Sequence, residues 1–341
     1  MNGHSVFFGN ALFLLDKKTL KWYYDNGDIM AEKTHVEQFY DFIDAVAMKL
    51  YETKKEPYLN GVKEALNLLM DDQTEEDIES DVINHFKALK YDIEGVDFNK
   101  EDVRKAIQLA LLKGFKHLNV TNAMMTPDSI GMFIAYLLKK LYKKPFETLL
   151  DPMIGTGNLI ATINNHFSDG FMTYGIDDEP LMAGLARNIL DALEMDHQVF
   201  LQNTLTYQGP LVDCIITDFP VKAVDQKEEY VPYQVVLHHL EHLKDNQFFI
   251  ALVENDFFDQ HRSEKFKELL LEKAHLYGLI KLDESLFKNH PKSILILQKK
   301  QDINAKIDDF LLVDLPAFTD EEAFNLALGK IEQWFKKKEV D

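Results

Sequence analysis

The sequence predicts an α/β protein, a Rossmann-like sheet of seven strands preceded by a helical domain. Three observations predict it. From Phe146 onward, short apolar runs alternate with longer amphipathic ones, the signature of a mostly parallel sheet with crossover helices. At the head of that alternation stands Asp151-Pro152-Met153-Ile154-Gly155-Thr156-Gly157-Asn158, a Gly-x-Gly turn between a strand pattern and a helix pattern. Before it, residues 34 to 118 carry apolar residues at helical spacing. A length of 341 residues is long for one core and points to more than one domain.

In order, residues 1–33 read as an arm or small hairpin, with Asp16-Lys17-Lys18 between two apolar runs and Asp25-Asn26-Gly27 after them. Thr34-x-x-Glu37 is a capping box, and Val36, Phe39, Ile43, Val46 and Leu50 follow on one helical face. Pro57 suits the first turn of a second helix bearing Tyr58, Val62, Leu66 and Leu69. The acidic stretch 71–77 suits the start of a third, with Ile78, Val82, Phe86 and Leu89 as its stripe. Val103, Ile107 and Leu111 form a fourth stripe. These stripes are core and carry no chemistry.

Residues 119–341 form the second domain. Residues 120–128 break the helical pattern; Pro127 holds Thr126 extended and starts a helix with Ile130, Phe133, Ile134 and Leu137 on its apolar face. Strands are predicted at 146–151, 172–177, 198–203, 212–217, 247–253, 276–282 and 293–299. Helices fall at about 158–167, 181–195, 231–244 and 262–274, and a late strand at Phe310 to Leu315 and a helix from Asp320 to Lys337 close the chain.

The formal charge is −20, which disfavours a protein that grips phosphate backbones, though a local basic face is not excluded by the sum. Lys139, Lys140, Lys143 and Lys144 form one basic cluster and Lys336 to Lys338 another, each read first as a solvated helix end. The single cysteine, Cys214, excludes an internal disulfide and a cysteine-based zinc site, and fits a reducing, cytoplasmic setting as a small core residue. The first fifteen residues make a poor signal peptide, and no apolar run is long enough to span a bilayer. Nothing points to an oligomeric state.

The candidate site residues sit at predicted strand ends. Gly155 and Gly157 let the main chain turn and approach a ligand. Asp177 ends the second strand about twenty residues past the glycine loop, where such folds bind ribose hydroxyls; the plainer alternative is a cap for the helix entered at Pro180. Asn203 ends the third strand and either meets a base edge or makes a turn. Asp218-Phe219-Pro220 ends the fourth. The Asp218 carboxylate and the Phe219 carbonyl would point two acceptors into the pocket, able to hold an amino group and orient its lone pair; otherwise Asp218 caps the next helix. His238, His239 and His242 share a predicted helix, but without a zincin glutamate or a further ligand no metal site is expected.

Thr126-Pro127-Asp128, Asp151-Pro-x-x-Gly155-Thr156-Gly157, Tyr174-Gly175-Ile176-Asp177 and Asp218-x-Pro220 occur in the order used by gamma-type amino-methyltransferases. The chain resembles these N6-adenine DNA methyltransferases, of the TaqI kind and of type I restriction systems. More narrowly it resembles the YtxK-like, DNA-methylase-related proteins of Gram-positive bacteria, through Leu282 to Lys288 and Lys292 to Leu297. The resemblance implies the seven-stranded class I methyltransferase sheet and S-adenosylmethionine as cofactor. It implies that the Thr126 main chain meets the methionine carboxylate, that Asp151, Gly155 and Gly157 form the cofactor loop, that Asp177 holds ribose and that Asn203 lies near the adenine. It implies that Asp218, Phe219 and Pro220 are catalytic, the substrate being an adenine amino group in DNA or RNA. The chain departs from the family pattern where Phe219 replaces a proline, Val221 replaces a base-stacking aromatic, and Met153 and Ile154 replace smaller residues. A catalytically degenerate cofactor-binding module is the alternative.

Overall fold

A computed structural model of the chain describes residues 33–71, 80–118, 125–223, 229–287, 290–302 and 309–340. The arm expected over 1–33, save its last residue, most of the acidic stretch 71–77 and the break at 120–124 lie outside the described residues.

Helix α1 (His35–Lys54) begins at the capping box. The Thr34 hydroxyl accepts the Glu37 N–H at 3.2 Å and the Glu37 carboxylate accepts the Thr34 N–H at 2.7 Å. Helix α2 (Tyr58–Asp71) packs so closely on α1 that a Cβ at Gly61 would lie 2.6 Å from Ala47 Cα, an approach that requires glycine. Helices α3 (Ser80–Ile93) and α4 (Lys100–His117) follow, the second capped by Asn99.

Helix α5 (Asp128–Leu141) leads into the sheet. Strands β1 (Thr148–Asp151), β2 (Met172–Asp177) and β3 (His197–Leu201) alternate with helices α6 (Asn158–Asn164) and α7 (Pro180–Ala192). Then come β4 (Val212–Asp218), α8 (Val231–His239), β5 (Leu243–Glu254), α9 (Ser263–Lys273), β6 (Ala274–Lys281), β7 (Lys292–Lys299), β8 (Leu311–Asp314) and α10 (Glu321–Val340). The strand order is β3-β2-β1-β4-β5-β7-β6-β8, and β7 alone runs antiparallel to its neighbours.

The sheet therefore has eight strands where seven were expected. The late strand joins it by pairing in parallel with β6, which removes an open edge that β6 would otherwise present. Two other boundaries move. Helix α8 stops at His239 because Leu243 is already paired with Val212 in the sheet. Strand β3 stops at Leu201 because Asn203 turns the chain.

Alternating side chains bury on opposite faces of the sheet. Leu149, Cys214, Ile216 and Ile250 join α5, α6 and α7 in one apolar core, which runs on without a break into α1, α2 and α4. Leu150, Ile176, Ile215 and Phe249 pack with α8 and α9 on the other face. A polar clamp also ties the helical stretch to the sheet region. Arg104 of α4, only 3 % exposed, donates to Asp128 at the start of α5 at 2.8 and 3.0 Å, to Glu101 at 2.8 and 2.9 Å, and to Thr162 of α6 at 3.2 Å.

Candidate active site

Strands β1 and β4 are neighbours, yet the chain leaves β1 toward β2 and leaves β4 toward β5. That reversal opens a crevice at the carboxyl ends of the strands, the place where open α/β sheets bind ligands. Asp151 and Asp218 are the last residues of the two flanking strands.

Asp151 is buried, and its Oδ1 accepts the Met153 N–H at 3.0 Å, which shapes the first turn of the loop. Burial pushes its carboxyl up to about 7; the Met153 hydrogen bond opposes this, and the charges of Asp218 and Asp177 add to it. Gly155 and Gly157 both have positive φ, +54° and +78°, in the region that disfavours other residues. Nothing lies within 4 Å of a Cβ built on Gly155, so the loop presents an open face there. Gly157 opens α6. The loop is held against β2, since the Ile154 N–H donates to Ile176 O at 2.9 Å.

Asp177, at the end of β2, accepts the Gly155 N–H on Oδ2 and the Glu179 N–H on Oδ1, both at 3.0 Å. It does not cap the following helix, because Glu179 does so through the Met182 N–H at 2.7 Å. A carboxylate has about four acceptor positions, so two main-chain bonds leave room for ribose hydroxyls. Burial raises its pKa, against the pull of those two N–H groups.

Thr126 is buried beside the crevice. Its carbonyl accepts from Asn158 Nδ2 at 3.3 Å and its hydroxyl donates to Asp218 Oδ2 at 2.7 Å. Asn203 is exposed and its side-chain oxygen accepts the Leu205 N–H at 2.9 Å, capping a single 3-10 turn. Phe219 is buried with its N–H on Leu252 O at 3.1 Å, whereas Pro220 is exposed. The structure thus gathers Thr126, Asp151, Gly155, Gly157, Asp177, Asp218 and Phe219 at one end of the sheet. Asn203 and Pro220 stand at its rim.

One residue of the site escaped sequence reasoning. Lys292, the first residue of β7, is 2 % exposed and forms an ion pair with Asp218 Oδ1. Its Nζ also donates to the Phe219 carbonyl at 2.8 Å. The antiparallel course of β7 brings it there: Glu254 of β5 pairs with Lys292 while Leu252 pairs with Asp218, so the start of β7 lies at the carboxyl ends of β4 and β5. The signal available was a lysine opening the apolar run Ser293 to Leu297, since a lysine entering a buried strand requires a partner. Asp218 caps no helix among the described residues; its two oxygens bond Lys292 and Thr126.

The histidines are structural in their contacts. His239 Nε2 bonds Thr204 Oγ1 at 2.7 Å and His238 Nε2 meets Tyr207 O at 3.1 Å, while His242 lies in a 3-10 turn beyond the helix. Burial, with the neighbouring histidines, lowers His239 to about 3. Among the described residues no group of three or more His, Cys, Asp and Glu could hold a metal ion. The basic cluster before β1 lies at the opposite end of the sheet. Lys139 and Lys140 are in the last turn of α5, Lys140 paired with Glu332 at 2.6 Å. No helix of the described residues is long and apolar enough to cross a membrane.

An eight-stranded sheet with a glycine loop after β1, an acid ending β2 and an Asp-x-Pro turn ending β4 defines a class I methyltransferase fold. The chain belongs to the N-6 DNA methylase family, whose profile matches residues 111–339, and to its YtxK-like group, whose N-terminal helical domain matches residues 37–115. It is 30 % identical over 329 residues to the uncharacterised protein YtxK of Bacillus subtilis, covering 90 % of this chain and 99 % of that one. A crystallised candidate class I S-adenosylmethionine-dependent methyltransferase from Listeria monocytogenes is 29 % identical and superposes with a TM-score of 0.80, covering 88 % of this chain and 99 % of that one. A modification subunit of a candidate type I restriction enzyme from Vibrio vulnificus shares the fold, with 15 % identity and a TM-score of 0.58 over 87 % of this chain and 83 % of that one.

Fold and family imply S-adenosylmethionine as the cofactor, and the residues present fit it. The open face at Gly155 admits a close-lying ligand, and Asp177 keeps acceptor capacity for hydroxyls.

Proposed function

We propose that this chain is a cytoplasmic S-adenosylmethionine-dependent N-methyltransferase acting on an amino nitrogen, the N6 of adenine in DNA or RNA being the acceptor its family implies. The observation that carries this reading is the convergence of two acceptors on one nitrogen. The Asp218 carboxylate and the Phe219 carbonyl meet at Lys292 Nζ, so the pocket has the geometry to hold an amino group. In this reading Asp177 holds the ribose hydroxyls, the Gly155 and Gly157 main chain lies against the cofactor, and Thr126 offers main-chain groups to the methionine carboxylate. Asp151 shapes the loop, and Asn203 lies nearest the base. S-adenosylmethionine bound there supplies an electrophilic methyl group on a sulfonium. Asp218 and the Phe219 carbonyl orient the acceptor lone pair and stabilise the positive charge that grows on nitrogen. Pro220 stiffens the turn that aims that carbonyl.

A second reading, a cofactor-binding module without turnover, is favoured by one observation: Lys292 already occupies both acceptors. The aliphatic Val221 and the −20 charge, both unfavourable to a flipped base and its phosphates, point the same way. The test is incorporation of labelled methyl from S-adenosylmethionine into DNA, RNA and cell extract by wild type and Asp218→Ala, beside calorimetry of cofactor binding. Turnover lost in the variant supports the enzyme. Tight cofactor binding with no Asp218-dependent turnover supports the module. No cofactor binding ends both.

A further inference from the structure

The two acceptors proposed for an amino group are already bonded by the chain itself. Lys292 reaches from β7 past β5 to β4, and its ammonium takes Asp218 Oδ1 and the Phe219 carbonyl together. The other carboxylate oxygen is tied to Thr126 at 2.7 Å, which keeps Asp218 facing the lysine. The Lys292 main chain is fixed as well, paired with Glu254 and accepting the Leu282 N–H at 3.1 Å. Its Nζ lies 5.5 Å from the centre of the Phe287 ring.

An incoming amino group needs the same two acceptors. Adenine offers a neutral aryl amine, whereas Lys292 offers a full positive charge to a carboxylate sheltered from water, where charge-assisted bonds are strongest. Val221 brings no ring on which a base could stack to offset that difference.

We propose that Lys292 is the specificity-determining residue of this pocket, a built-in alkylammonium ligand. It holds the two acceptors against neutral amines, that of adenine included, so a substrate enters only by displacing it. The proposal rests on the amino-group reading of the Asp218–Phe219 pocket. It adds that the ligand this pocket prefers is a primary alkylammonium, which has no lone pair while protonated and so binds there as a ligand and not as a methyl acceptor.

The experiment uses the full chain without cofactor. Lys292→Ala removes the side chain beyond Cβ, and propylammonium restores the missing atoms. We expect propylammonium to bind Lys292→Ala at least about tenfold tighter than wild type and to raise its unfolding temperature, as charge-assisted hydrogen bonds would require. Adenosine should gain less, and Lys292→Ala combined with Asp218→Asn should lose the effect. A lysine that only neutralises Asp218 would leave the same amine-shaped cavity when removed, so the deciding readout is in wild type. Propylammonium at saturation should displace the Lys292 ammonium, read as loss of a protected Nζ signal in 15N-lysine-labelled protein, and no displacement overturns the proposal. Equal propylammonium binding by wild type and Lys292→Ala overturns the proposal. So does a greater gain for adenosine than for propylammonium.

Should Lys292→Ala not fold, wild type labelled with 15N-lysine decides. One Nζ signal protected from solvent exchange is expected, absent in Asp218→Asn and displaced by a bound acceptor. Its absence from wild type overturns the proposal. If S-adenosylmethionine does not bind but propylammonium fills the Lys292→Ala pocket, the methyltransferase reading fails and this inference stands. The converse result separates them the other way.

Discussion

Arg104→Met isolates the clamp between the helical stretch and the sheet region. Methionine keeps much of the apolar stem and removes the guanidinium, which is 3 % exposed and serves Glu101, Asp128 and Thr162. Removing one partner of a buried ion pair costs about 3–5 kcal/mol. Two features place this case at the low end. Gln108 still donates to Asp128 Oδ1 at 2.5 Å, and the Glu101 side chain, 42 % exposed, can turn to water. At roughly 2–3 °C per kcal/mol for a chain of this size, a loss of about 3 kcal/mol lowers Tm by about 6–9 °C. Thermal unfolding followed by circular dichroism reads this directly.

Acid titration supplies a second arm. Burial works against the Glu101 charge, but hydrogen bonds and charge from Arg104, with Lys105 and Asn165, outweigh it and hold the carboxyl at about 2. The unfolded chain then binds more protons than the folded one between about pH 4.5 and 2. This contribution is therefore present above that window and lost as pH falls through it. Arg104→Met should show a shallower loss in that window than wild type. A Tm change under about 2 °C, or acid profiles that superimpose, would refute the reasoning, because a buried guanidinium with these partners cannot be removed without effect.

Asp177→Ala removes the carboxylate that ends β2 and should weaken S-adenosylmethionine binding about ten- to a hundredfold, from the 1.5–3 kcal/mol typical of hydrogen bonds to a charged group. Calorimetry with unchanged affinity would exclude Asp177 from the site. Gly155→Ala forces alanine into φ +54°, at about 1–2 kcal/mol, and adds a methyl to the open face; a lower Tm with undiminished cofactor affinity would show that no ligand lies against that face. Asp151→Asn tests the buried acid. With its folded pKa raised to about 7, the folded state holds more protons than the unfolded one between about pH 4 and 7, so wild type loses stability as pH rises through that range. Denaturant unfolding at pH 5 and pH 8 should favour the asparagine variant more at the higher pH. The same difference at both values would mean that Asp151 titrates normally.

Much of the architecture was legible because it is written locally. The capping box at Thr34, the period of α1 and the strand-turn-helix around Gly155 each depend on residues a few positions apart, and each forms as its spacing predicts. The convergence of Asp151, Asp177 and Asp218 was legible for a related reason: once strands are parallel, their carboxyl ends must share an edge. Reading failed where a distant partner decides. Helix α8 is cut short by a pairing between Leu243 and Val212, and the late strand, expected near 310–315, joins the sheet through a pairing with β6 that no local pattern states. For Asn203 the turn was one of the two roles its identity allowed, and its side-chain oxygen makes that turn.

Local spacing and strand polarity settle that a glycine loop, an acid and an Asp-x-Pro turn stand at the ends of β1, β2 and β4. Only the tertiary structure decided what Asp218 holds. Lys292 follows it by 74 positions and meets it because a single antiparallel strand enters the sheet from the ligand-binding end. No local pattern encodes that direction. It follows from which strands pair, and pairing is settled by the packing of the whole sheet.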